Sequence, residues 1–80
     1  MRMISKTQLR MALSALNMQS ADLAELTGLH KNTIWKANKG KASKQTYAVI
    51  ELVFREKGVL FGVSDDGREW VAVEVEEDAE

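Results

Sequence analysis

The stretch TGLHKNTIWKANKGK, residues 27–41, gathers His30, Lys31, Asn32, Thr33, Trp35, Lys36, Lys39 and Lys41 with no acid among them. Lysine ammonium groups donate hydrogen bonds and carry charge, a carboxamide both donates and accepts, and an indole adds a flat apolar face. That set suits recognition of an anion better than bond-making chemistry. The rest of the chain supports this choice. It holds one His and no Cys, no glycine-rich phosphate loop, and no carboxylate pair with a reason to be buried. A general acid–base or nucleophilic site lacks its parts, so the chain is not expected to be an enzyme. A lone His without Cys also gives no expected metal site, and no cofactor is expected.

The formal charge of −1 conceals a division. Residues 1–64 carry ten Lys/Arg against four Asp/Glu, a surplus of +6, whereas residues 65–80 carry one Arg against eight acids, or −7. Between Glu25 and Glu51 no acid occurs, and Lys31, Lys36, Lys39, Lys41 and Lys44 all fall there. Such asymmetry has two readings, a merely solvated basic surface or a first part that meets an anionic partner while the acidic end faces solvent or holds off wrong contacts.

Eighty residues allow a single domain, 1–80, burying only about 60% of its unfolded surface. Apolar residues at 45% and charged residues at 29% fit a folded, soluble chain rather than a disordered one. Lys6, Gln8 and Arg10 interrupt the N-terminal apolar residues, so no signal peptide is expected, and no run of about 18 apolar residues predicts a membrane span. With no cysteine, a cytoplasmic location is expected.

The elements that must hold the basic stretch follow from spacing. Residues 5–58 read as helical. SKTQ at 5–8 has the pattern of a capping box and predicts a helix after Ser5, with Leu9, Ala12, Leu13 and Leu16 on one stripe. SADLAELTG predicts a short helix capped by Ser20, with Leu23, Ala24, Leu26 and Thr27 inward and Gly28 closing it. A third helix spans 31–39 with Ile34 and Ala37 inward. A fourth runs from about Ser43 to Gly58 with Tyr47, Ile50 and Val53 or Phe54 on its apolar face. The period then changes to two: 59–76 reads as a β-hairpin around SDDG, and 77–80 as an acidic tail. The expected class is mainly α, four or five helices, with a C-terminal hairpin. The methionines Met1, Met3, Met11 and Met18 read as core filler and start sites.

Counting from Ser20, a small residue (Ala24) takes the fifth position and glycine (Gly28) the ninth. Apolar residues take the fourth (Leu23), tenth (Leu29), fifteenth (Ile34) and eighteenth (Ala37). Two short helices meeting steeply need a small residue at the crossing and a sharp bend between them, which is the pattern of a helix-turn-helix over residues 20–39. On that reading the acid-free surface of the third helix faces DNA, because phosphates attract lysines and accept hydrogen bonds at a helix N-terminus.

LRMALSALNMQSADLAELTGLHKNTIWKANKGK resembles the lambda-repressor/Cro-type helix-turn-helix domains, also called the xenobiotic-response-element family. With SKQTYAVIELVFREKGVLF the likeness extends over roughly residues 7–63, toward compact prokaryotic and phage regulators that end in a helix, Gly-Val and a short strand. Two positions depart from it. Gln19 stands where Ser or Thr commonly caps the second helix, and KANKG stands where Arg-x-Glu-Arg-Gly is common, which leaves that turn more basic.

The resemblance implies a small sequence-specific regulator of double-stranded DNA, a prokaryotic or phage repressor reading the major groove and binding as a homodimer. Its base-reading positions fall on Lys31, Asn32, Trp35 and Lys36. Lysine can donate to guanine O6 or N7, and Asn can pair with adenine N6 and N7; the other reading is phosphate contact or simple solvation for Lys31 and Lys36, and a local backbone bond near the helix start for Asn32. For Trp35 two readings stand: packing on a thymine methyl or a sugar, or covering the core edge beside Tyr47. Gln19, Ser20, His30, Thr33, Lys39 and Lys41 are expected at phosphates, which fix register without reading sequence. In the hairpin two readings stand: Val71, Val73 and Val75 fold back over the end of the fourth helix, or Trp70 and Ala72, or an unpaired strand edge, join a second copy; Trp70, Val71 and Val73 are the candidate dimer residues. The other class of function is a protein-interaction module, antitoxin-like or anti-regulator, whose hairpin and acidic tail bind a protein partner.

Overall fold

The computed structural model describes residues 3–74. Among them four helices precede one antiparallel hairpin: α1 (Lys6–Ala15), α2 (Ser20–Thr27), α3 (Lys31–Asn38), α4 (Lys44–Glu56), β1 (Leu60–Val63) and β2 (Glu69–Ala72). The described residues are mainly helical, with four helices rather than five.

Three of the four helices, α1, α3 and α4, start on a side chain that accepts an otherwise orphaned N–H. Ser5 Oγ accepts the Gln8 N–H at 3.1 Å while Gln8 Oε1 accepts the Ser5 N–H at 3.0 Å, which completes the expected capping box. Ser43 Oγ accepts the Thr46 N–H at 3.2 Å to open α4. The start of α2 lies one residue earlier than expected. Gln19 is the N-cap and Ser20 the first helical residue, because the Asp22 carboxylate reaches back to the Gln19 N–H at 2.8 Å. The helix ends also tighten: α3 stops at Asn38 with Lys39 as its cap, and α4 stops at Glu56.

The core is one cluster drawn from every helix. Leu9, Ala12 and Leu13 of α1 meet Leu23 of α2, Ile34 and Ala37 of α3, and Tyr47, Ile50 and Phe54 of α4, with Ile4 and Val59 closing it. Phe54, not Val53, is the fully buried member of its pair. Leu26, expected inward, is 46% exposed, because Leu23 and Ala24 already take the side of α2 that meets the core. Of the methionines in the described residues, Met18 packs against the core, whereas Met3 and Met11 are exposed. Met1 lies outside those residues.

The hairpin register pairs Leu60 with Ala72, Phe61 with Val71, Gly62 with Trp70 and Val63 with Glu69. Alternation sends Phe61 and Val71 inward, where Phe61 meets Phe54 edge-on with ring centroids 6.0 Å apart. Val71 therefore covers the protein's own core, which removes it from the candidate dimer surface. Leu60 and Trp70 stay exposed on the other face, and Val73 lies exposed just beyond β2. The Trp70 indole lies directly over Gly62, so a Cβ at residue 62 would collide with its ring. The hairpin turn, Ser64–Gly67, is closed by the Gly67 N–H on the Ser64 carbonyl at 2.9 Å. In that turn the Ser64 hydroxyl, then the Arg68 N–H, hold the Asp66 carboxyl below its ordinary value. Val75 and the acidic residues 76–80 lie outside the described residues.

Candidate nucleic-acid interface

Between α2 and α3 the chain must change direction within three residues, and Gly28 makes the change. Its φ of 74° and ψ of 8° lie in the left-handed region, where a Cβ is costly. Thr27 braces the bend: its hydroxyl donates to the Leu23 carbonyl at 2.8 Å and accepts the Leu29 N–H at 3.2 Å. His30 then caps α3, its Nδ1 accepting the Asn32 N–H at 3.0 Å. In the neutral ring the remaining proton sits on Nε2, as a donor.

Leu23, Ile34 and Ala37 are fully buried, while Ala24 and Leu29 are partly buried against the same cluster. With Ile34 and Ala37 turned inward, the helical period turns Lys31, Asn32, Trp35 and Lys36 outward, and all four are exposed. Trp35 is 59% exposed, which rules out the reading in which it covers the core. Tyr47 takes that place, donating its hydroxyl to the Ala37 carbonyl at 2.7 Å.

Of the expected phosphate contacts, Gln19, Ser20, His30, Lys39 and Lys41 are exposed, and Thr33 is half-buried. Asn38 donates its side-chain amide to the Ser20 hydroxyl at 3.0 Å and so ties the end of α3 to the start of α2. The Ser20 hydroxyl can still donate. Lys31, Asn32, Trp35, Asn38 and Ser20 line one shallow concavity, and Arg10, Leu13, Ser20, Asn38 and Lys39 line the next.

Three residues thus join the surface that the sequence did not single out: Asn38, Arg10, and Lys6, whose side chain lies against Gly40. Arg10 and Lys6 belong to α1 and arrive only through tertiary packing. Asn38, within the quoted stretch, carried a usable signal as a short polar residue at a helix end. The ion pairs among the described residues are Arg55–Glu51 and Arg68–Asp66, and neither involves a residue of α3. The Lys39 ammonium sits 5.3 Å from the centroid of the Trp35 ring. Among the described residues no group of three or more His, Cys, Asp or Glu is placed to hold a metal, and no helix is long and apolar enough to cross a membrane.

Comparison of the chain with protein-family models, with curated proteins and with solved structures finds no match in any of the three.

Proposed function

We propose that the chain is a small sequence-specific double-stranded DNA-binding regulator of the lambda-repressor/Cro kind, a prokaryotic or phage repressor that lays α3 in the major groove. One observation carries this reading. The outward side of α3 is exposed, free of acids and free of ion pairs, and the glycine bend at residue 28 sets it off from α2. An acid-free ridge of lysine, asparagine and tryptophan offers cations for phosphates and donors for base edges. Ser20, Arg10, Lys39 and Lys41 flank the ridge and would hold phosphates, while Lys31, Asn32, Trp35 and Lys36 meet the bases. An eight-residue helix reads few base pairs, so the reading includes a homodimer on two half-sites about one DNA turn apart.

Selection of bound duplexes from a random pool tests this reading. A palindromic enriched site is expected, and the absence of enrichment defeats it. On the enriched site Lys36→Ala is expected to lose about 1–3 kcal/mol more than on random DNA. Lys41→Ala is expected to weaken both alike and to lower the slope of log K against log salt by about 0.9. Equal losses from the two variants would overturn the division of roles.

A second reading has its own observation. Leu60 and Trp70 leave an apolar face on the hairpin, 54% and 42% exposed, which suits an interaction module that binds a protein. Under that reading duplex binding would show little dependence on salt or on sequence.

A further inference from the structure

We propose that Trp35 reads the C5-methyl group of a thymine and that Lys39 is its positioning residue, an inference that rests on the DNA-binding reading above. Trp35 is the large apolar side chain on the outward side of α3, 59% exposed and set among Lys31, Lys36 and Lys39. An indole left in water costs free energy that a core position would recover, and the inward positions of this helix are already filled by Ile34 and Ala37.

Lys39 stands four residues on, over the same face, with its ammonium 5.3 Å from the ring centroid. That cation lies over one face of the indole, while more than half of the side chain stays exposed. The concavity beside it, between Trp35, Asn32 and Lys31, therefore has an aromatic wall with a cation over it.

The partner's chemistry follows from what surrounds the ring. The lysines favour a polyanion, and within the major groove of duplex DNA the thymine methyl is the apolar group displayed at a base edge. A flat apolar ring flanked by cations matches a methyl flanked by phosphates. Lysines alone would serve phosphates without any ring between them. In this arrangement Lys39 acts through Trp35 and adds sequence discrimination to a charge otherwise spent on the backbone.

The test uses the full chain and the duplex enriched from the random pool, with each thymine replaced in turn by deoxyuridine, which lacks only the methyl. One position is expected at which the replacement weakens binding about fourfold, the worth of one buried methyl-sized group. Trp35→Ala is expected to bind thymine and deoxyuridine duplexes equally. Lys39→Met, which keeps a stem of similar length but no charge, is expected to bring that ratio toward one, and Lys39→Arg to restore it. A phosphate-only lysine would lower affinity without moving the ratio.

Circular dichroism of the variants guards against loss of fold, and Trp35→Phe serves as the milder change should Trp35→Ala unfold. If the wild type binds the enriched duplex with strong salt dependence yet ignores every thymine replacement, the methyl inference is overturned while the DNA-binding reading stands. A wild-type ratio that survives in Trp35→Ala overturns it equally. If no duplex is enriched, both fall together.

Discussion

At Gly28 the lack of a Cβ permits the bend between α2 and α3. The residue holds φ at 74°, yet a Cβ built there would meet nothing within 4 Å. Space is not the constraint, so substitution carries only the backbone penalty of the left-handed region, about 1–2 kcal/mol for an ordinary side chain. Gly28→Ala is accordingly expected to lower the urea-unfolding free energy by about that amount. Gly28→Asn should lose less, because asparagine enters this region more readily. A loss well above this range would mean that residue 28 makes a contact through its backbone that the φ argument omits. A negligible loss would mean that α2 and α3 can meet without the left-handed bend. His30 works at the same scale. Its ring nitrogen supplies the acceptor that α3 needs at its first turn, a place more often taken by Ser or Asp.

Gln8 joins two elements through one amide. Its Oε1 closes the capping box of α1, and its Nε2 donates to the carbonyls of Gly62 at 3.0 Å and Trp70 at 3.3 Å, one on each strand of the hairpin. It is 3% exposed, so water cannot replace these bonds. Gln8→Ala is expected to cost about 1–3 kcal/mol and to speed amide exchange in β1 and β2. Ser5→Ala, which removes only the cap, should cost about 1 kcal/mol and leave the hairpin amides protected. Equal exchange in the two variants would sink the assignment of Gln8 as the hairpin's anchor. This residue also marks the limit of what the sequence makes legible. Caps, breaks and apolar periods are local, and they foretell the four helices, the hairpin, and the outward set Lys31, Asn32, Trp35 and Lys36. Gln8 reads locally as one half of a capping box, because its other partners lie 54 and 62 residues away. Arg10 and Lys6 were illegible as site residues for the same reason, since only the packing of α1 beside α3 brings them there. The inward turn of Val71 depends on the strand register, which alternation alone leaves undecided between two faces.

Over the whole molecule, charge is separated along the chain, and under the DNA-binding reading that separation would act before any contact forms. The hairpin is no detachable appendage: Val59 is fully buried, and Phe61 and Val71 pack on the helical core. A cut after residue 64 would therefore confound stability with function. Deleting residues 75–80 leaves every described core residue in place and removes four acids, taking the formal charge from −1 to +3. A polyanion approaching α3 then meets less repulsion. Under the DNA-binding reading, the shortened chain is expected to bind random duplex several-fold more tightly near 0.05 M salt, with most of the gain in the association rate. The advantage should fade toward 0.3 M, where screening shortens the reach of charge below about 8 Å. Association kinetics at several salt concentrations, beside a urea-unfolding curve for each chain, measure both parts. If the gain instead persists at high salt and lies in the dissociation rate, the acidic residues compete with DNA by direct contact with the lysines. If deletion changes neither rate, the negative charge is too far from α3 to matter, and its purpose belongs to another surface of the molecule.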